Sequence, residues 1–188
     1  MSYDLYAIET HPGEDPADAY EALEEEPEWT DEQVARAEKL AASLHALNPR
    51  LERFVFDYPE VAKALGVTEE EARAQWRHIE LNPPDGDNPV QVTVHADHAS
   101  LTMPYWYTGE RARETVREAL SYLALIERET GWTTFDPQLE RSVDLSADLD
   151  EVVSAYEVGS RHVEELSRED SGSPEGRPAK RKRRFWPW

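Results

Sequence analysis

The sequence predicts an α+β fold, a mostly antiparallel sheet with helices packed on one face, and three observations carry that expectation. Period-two alternation of apolar and polar residues comes in short runs, two of them adjacent in the middle of the chain. Between and after those runs lie segments with apolar residues at helical spacing, each opened by a capping residue. The resulting order, strand, helices, hairpin, helix, strand, helix, suits helices laid on one side of an antiparallel sheet.

The opening SYDLYAIE is rich in strand formers and ends at the breaker HPGEDP. Asp15-Pro16 starts a short acidic helix through about Glu26. Thr30 then caps a longer helix, Gln33 closes its capping box, Val34, Ala37, Leu40, Leu44 and Leu47 share one face, and Asn48-Pro49 stops it. Residues 58–77, YPEVAKALGVTEEEARAQWR, have the outline of a DNA-reading helix-turn-helix, with Gly66 in the turn and Thr68 capping the second helix through Glu71. The first turn of that second helix is Glu69, Glu70 and Glu71, which would meet phosphate with the wrong charge. A structural helix pair is expected instead.

From Arg77 the period changes to two. HIEL reads as a strand, NPPDGDNP as a loop, and VQVTVHA as a strand turning Val90, Val92 and Val94 inward and Gln91, Thr93 and His95 outward. Asp97-His98 is the expected turn of a hairpin whose returning strand, SLTMPYW, puts Leu101, Met103 and Tyr105 on one face and ends near Pro104. Ala112, Val116, Leu120, Leu123 and Ile126 form the stripe of a long helix closed by Gly131. WTTFD is a further strand. A final helix is expected to open with Asp148 and Glu151 as cap and box, and to carry Val152, Tyr156, Val163 and Leu166 toward the core.

These elements assign residues 1–170 to one acidic domain and residues 171–188 to a flexible linker, SGSPEGRPAK, followed by a basic and aromatic tail, KRKRRFWPW, expected to be disordered. The whole chain of 188 residues carries a formal net charge of -20, with 20 Lys/Arg against 40 Asp/Glu. Residues 171–188 hold six of the basic residues and one of the acidic ones, leaving the domain with 14 against 39, a charge of -25. A field of that sign repels nucleic acid and anionic membranes and speeds encounter with basic partners. The absence of cysteine excludes disulfides and thiol chemistry. MSYDLYAIET lacks the charged and apolar regions of a secretory signal, and no apolar run approaches the ~18 residues of a membrane span. The expected location is cytoplasmic, peripheral at the inner membrane if the tail anchors there.

Catalytic signatures are missing: no phosphate-cradling glycine loop, no HExxH, no G-x-S-x-G. His95, Asp97 and His98 in VHADHAS have spacing that could begin a metal site, but further ligands are not in view, and a solvated turn is the expectation. No cofactor is expected. Candidate partner-binding residues lie elsewhere: His78 and Glu80 on a sheet face in RHIELNP, Trp106 and Tyr107 where a strand runs into a helix, and Asp136 and Gln138 just past a strand end. In the tail, Lys180, Arg181, Lys182, Arg183 and Arg184 beside Phe185, Trp186 and Trp188 suit docking to an anionic membrane, to nucleic acid, to a protein, or back onto the acidic domain.

The opening MSYDLY, the central RHIELNPP with its VQVTVHADHASLTMPYW hairpin, and GWTTFDPQLERSVDL resemble a loosely defined group of small bacterial proteins, some of which look like immunity proteins against secreted toxins of competing bacteria. The resemblance covers roughly residues 1–165. It implies a fold and an origin, with no family active site to carry over. Together with the charge it implies a non-enzymatic module that binds a basic protein, such as a nuclease-like toxin. The alternatives are a peripheral membrane or adaptor protein docking through the tail, and an enzyme or metal-binding protein centred on the histidines.

Overall fold

The computed structural model describes residues 1–24, 29–84 and 90–171. The tail candidates Lys180, Arg181, Lys182, Arg183, Arg184, Phe185, Trp186 and Trp188 lie outside the described residues, as do most of the linker and residues 85–89 of the NPPDGDNP loop.

Seven strands form one antiparallel sheet, as the alternation predicts. β1 is Ser2–Ile8, β2 Glu52–Arg53, β3 Ile79–Asn82, β4 Gln91–Val94, β5 His98–Pro104, β6 Thr133–Asp136 and β7 Arg141–Ser142. The spatial order is β2-β3-β4-β5-β1-β6-β7. The two-residue edge strands β2 and β7 were not expected from the sequence, being too short to show a period. The register brings Ile79, Val94, Ala99, Ala7 and Thr134 into one cross-strand row. The next row is Glu80, Thr93, Ser100, Tyr6 and Phe135. Alternate residues therefore face opposite sides of the sheet.

The helices are α1, Pro16–Glu21, α2, Asp31–Leu47, α3, Tyr58–Leu65, α4, Glu69–Gln75, α5, Gly109–Thr130, and α6, Leu149–Ser171. On the first face of the sheet, Tyr3, Leu5, Leu81, Val92, Leu101 and Met103 meet Leu40 and Leu44 of α2, Val116, Leu123 and Ile126 of α5, and Val152 and Tyr156 of α6. This is the main core, and each fully buried aliphatic side chain in it is worth roughly 1.5–3 kcal/mol. α1 departs from the one-sided arrangement. Its Ala19 and Tyr20 pack on the second face, against Ile8, Phe135 and Tyr6. Those strand residues point away from the main core and would otherwise leave an apolar corner in water.

The helix ends follow the sequence closely. Thr30 with Gln33, and Thr68 with Glu71, form reciprocal capping boxes. Gly66 and Gly131 end α3 and α5 in the left-handed region, at φ 72° and 76°. In α2 the buried stripe is Ala37, Leu40, Ala41 and Leu44, while Val34 and Leu47 at its two ends are exposed. The start of α6 differs from expectation. Asp148 accepts from Arg141 Nη1 at 2.7 Å and from the Asp144 amide at 2.9 Å, and Glu151 accepts from Arg141 Nη2 at 2.6 Å. Both carboxylates tie α6 to β7 through one arginine rather than closing a capping box.

No described helix is long and apolar enough to cross a membrane.

Candidate functional site

The register separates the expected partner-binding residues into two groups and removes one of them. β5 runs from His98, opposite Ile8, to Pro104, opposite Ser2, so its two ends lie at opposite ends of the sheet. His78 and Glu80 flank the end of β3 nearest His98, whereas Trp106 and Tyr107 follow Pro104 at the other end.

At the Trp106 end, Trp106 is 66% exposed, an unusual placement for a ring of that size. The turn that presents it is held firmly. The Trp106 amide donates to the Pro104 carbonyl at 2.8 Å, and the Tyr156 hydroxyl donates to the same carbonyl at 2.5 Å. Tyr107 is half-buried, its amide donating to the Tyr156 hydroxyl and its ring carrying the Arg111 guanidinium 5.1 Å from the centroid. At the same end of the sheet, the rings of Tyr3, Tyr105 and Tyr156 pack with centroids 5.6–6.2 Å apart. Gly159 of α6 lies against Tyr105 so closely that an added Cβ would sit 2.2 Å from the ring.

Asp136 is not a contact residue, because it is 0% exposed. One carboxylate oxygen accepts from the amides of Gln138 and Leu139, at 2.8 and 3.1 Å, and the other accepts from the Tyr3 hydroxyl. The side chain thus shapes the β6–β7 turn from inside. Burial raises its pKa above the ordinary carboxylate value, against the lowering effect of those hydrogen bonds. Burial also raises that of Tyr3, with the Asp136 carboxylate adding to it. Gln138 is exposed on the outside of the same turn.

His78 and Glu80 belong to the second face. Each side chain is 13% exposed, and His78 Nε2 lies 3.3 Å from Glu80 Oε1. His78, His95 and His98 line up across β3, β4 and β5. The rings of His78 and His95 are 5.2 Å apart, and those of His95 and His98 are stacked at 4.1 Å with an interplanar angle of 9°. The row continues to Phe56 at one end and to Tyr6, then Tyr20, at the other. His98 Nδ1 is 2.8 Å from Asp97 Oδ1, and that hydrogen bond holds the Asp97 carboxyl below its ordinary range. Sequence reasoning placed His95 outward but put His98 in the turn, whereas His98 is the first residue of β5 and 8% exposed. Period-two counting backward from Leu101 would have put His98 on the same face as His95. Stacked rings direct their nitrogens sideways instead of toward one point, and among the described residues no group of three or more His, Asp or Glu side chains is placed to hold a metal ion.

Comparison with protein-family models, with curated proteins and with solved structures gives no match.

Proposed function

We propose that this chain is a non-enzymatic module that binds a basic protein, acting as an immunity protein does when it caps the active site of a nuclease-like toxin. The observation that carries the reading is the excess of carboxylates in residues 1–170, 39 against 14 Lys/Arg. Among the described residues, Arg36, Lys39, Arg53, Arg73, Arg113, Arg128 and Arg141 are moreover engaged in ion pairs within the domain. The field outside the molecule is therefore negative, which raises association rates with basic partners and disfavours acidic ones. The Trp106 end supports the reading with a rigidly presented, exposed aromatic ring of the type that anchors interface centres.

The test is co-expression with a basic secreted nuclease toxin, taken from the gene's neighbourhood where one is encoded there, in a cell that the toxin kills, together with capture of the complex from native cells. Restored growth and a stable complex are expected. With that partner, added salt should slow association, whereas Trp106→Ala should mainly speed dissociation. No rescue and no complex would overturn the proposal.

A further inference from the structure

α6 packs beside α5 and runs in the opposite direction. Arg113 pairs with Asp150 at 2.5 Å, and the Gly109 amide at the start of α5 donates to Glu157 at 2.6 Å. Everything in α6 after Glu157 thus continues beyond the beginning of α5, on the side where Trp106 is exposed. The twelve residues after Gly159, which touches Tyr105, through Ser171 advance roughly 18 Å. Ser171, the last described residue, therefore lies on the Trp106 side of the domain, and eight residues separate it from Lys180, where the basic run begins.

Eight extended residues reach about 27 Å, more than the length of the overhang. The basic run can consequently return to the surface around Trp106. Glu110 and Glu114, in the first two turns of α5 soon after Trp106, and Glu164 and Glu165, between one and two turns past Gly159 on α6, are exposed, as are Arg111 and Arg161. An exposed indole on an acidic domain matches a segment of five consecutive basic residues followed by Phe185, Trp186 and Trp188, since guanidinium groups stack on Trp and pair with carboxylates. Tethering so close to the surface raises the effective concentration to the millimolar range, so weak contacts suffice.

We propose that Lys180–Trp188 docks in cis on the Trp106 end of its own domain and covers that surface until a basic partner displaces it. The proposal rests on the Trp106 end being a surface for basic ligands, as in the proposed function, but it can be tested on the chain alone. A single spin label can be placed at Ala179→Cys, because the full chain has no cysteine. At low salt, the Trp106 indole and the amides of Tyr107–Glu110 should lose about half of their NMR intensity, and should regain it at about 0.5 M salt, where the Debye length is only a few ångströms. The loss should be unchanged by tenfold dilution. It should vanish when Lys180, Arg181, Lys182, Arg183 and Arg184 are all replaced by Glu in the same labelled chain. Broadening that grows with protein concentration would overturn docking in cis in favour of a second copy. Equal intensities in the basic and Glu-substituted chains, or salt-sensitive broadening only elsewhere on the domain, would also overturn it. Toxin rescue with no broadening would sink this proposal while leaving the proposed function standing.

Discussion

The Tyr3 hydroxyl keeps one oxygen of a fully buried carboxylate from being without a partner, and that oxygen belongs to a residue 133 positions away, Asp136. Tyr3→Phe preserves the packing of the ring and removes only this donor, so it should cost about 1–3 kcal/mol at neutral pH. The pH dependence has a definite sign. Asp136 already titrates above its ordinary value in the folded protein, so the folded state binds its proton more readily than the unfolded chain. Losing the Tyr3 donor raises that value further. The deficit of the variant should therefore be largest at neutral pH and shrink as pH falls from the variant's still higher value to the raised wild-type one, the unfolded value being common to both. Urea unfolding across that range checks it, and a deficit independent of pH would contradict the account. Sequence alone exposes Asp136 only as an Asp-Pro step after a strand, since its burial depends on a phenol at the other end of the chain. Gly159 is equally hidden, a glycine in a helix whose use appears only with Tyr105 against it. Gly159→Ala should gain about 1 kcal/mol in helix propensity but lose about 1–3 kcal/mol by displacing that ring, for a net fall in thermal midpoint. An unchanged or raised midpoint would mean that Tyr105 can move aside freely.

Among the elements, the α3–α4 pair was the most legible and is the least embedded. Its turn glycine, the Thr68 cap and the Thr68–Glu71 box stand where local sequence puts them, because each depends only on residues within four positions. Ala62 and Ala72 are its buried helical residues, while Phe56 reaches the sheet by an edge-on contact with His78 at 5.3 Å. A unit with so little burial relies heavily on its caps. Thr68→Ala should cost about 1 kcal/mol and accelerate amide exchange at Val61–Trp76 about fivefold. Unchanged exchange there would show that the box contributes nothing. Other elements were less legible for a reason of distance. The second-face docking of α1 requires Tyr6, Ile8 and Phe135 from separate strands to meet Tyr20, and the histidine row requires the register of three strands. A period-two pattern assigns each residue a face but cannot say what covers that face.

Across the whole molecule, charge and core divide the chain at nearly the same place. The largest fully buried side chains run from Tyr3 to Tyr156, and Ser160 is the last buried residue among those described. The positive charge is concentrated after that point, with six Lys/Arg in residues 171–188. If residues 172–188 add nothing to the core, as their composition predicts, they can stabilise the fold only through electrostatic docking, which salt screens. Deleting residues 172–188 should therefore shift the thermal midpoint by less than about 3 °C at about 0.5 M salt, equivalent to about 1 kcal/mol for a domain of this size. At low salt the same deletion should lower the midpoint slightly further, by the free energy of docking in cis. A large fall at high salt would mean that the tail packs apolar surface onto the domain, with Phe185, Trp186 and Trp188 as part of the core rather than as an appended ligand. The comparison at two salt concentrations separates those roles because hydrophobic burial is not weakened by screening, whereas pairing between the basic run and the domain's carboxylates is.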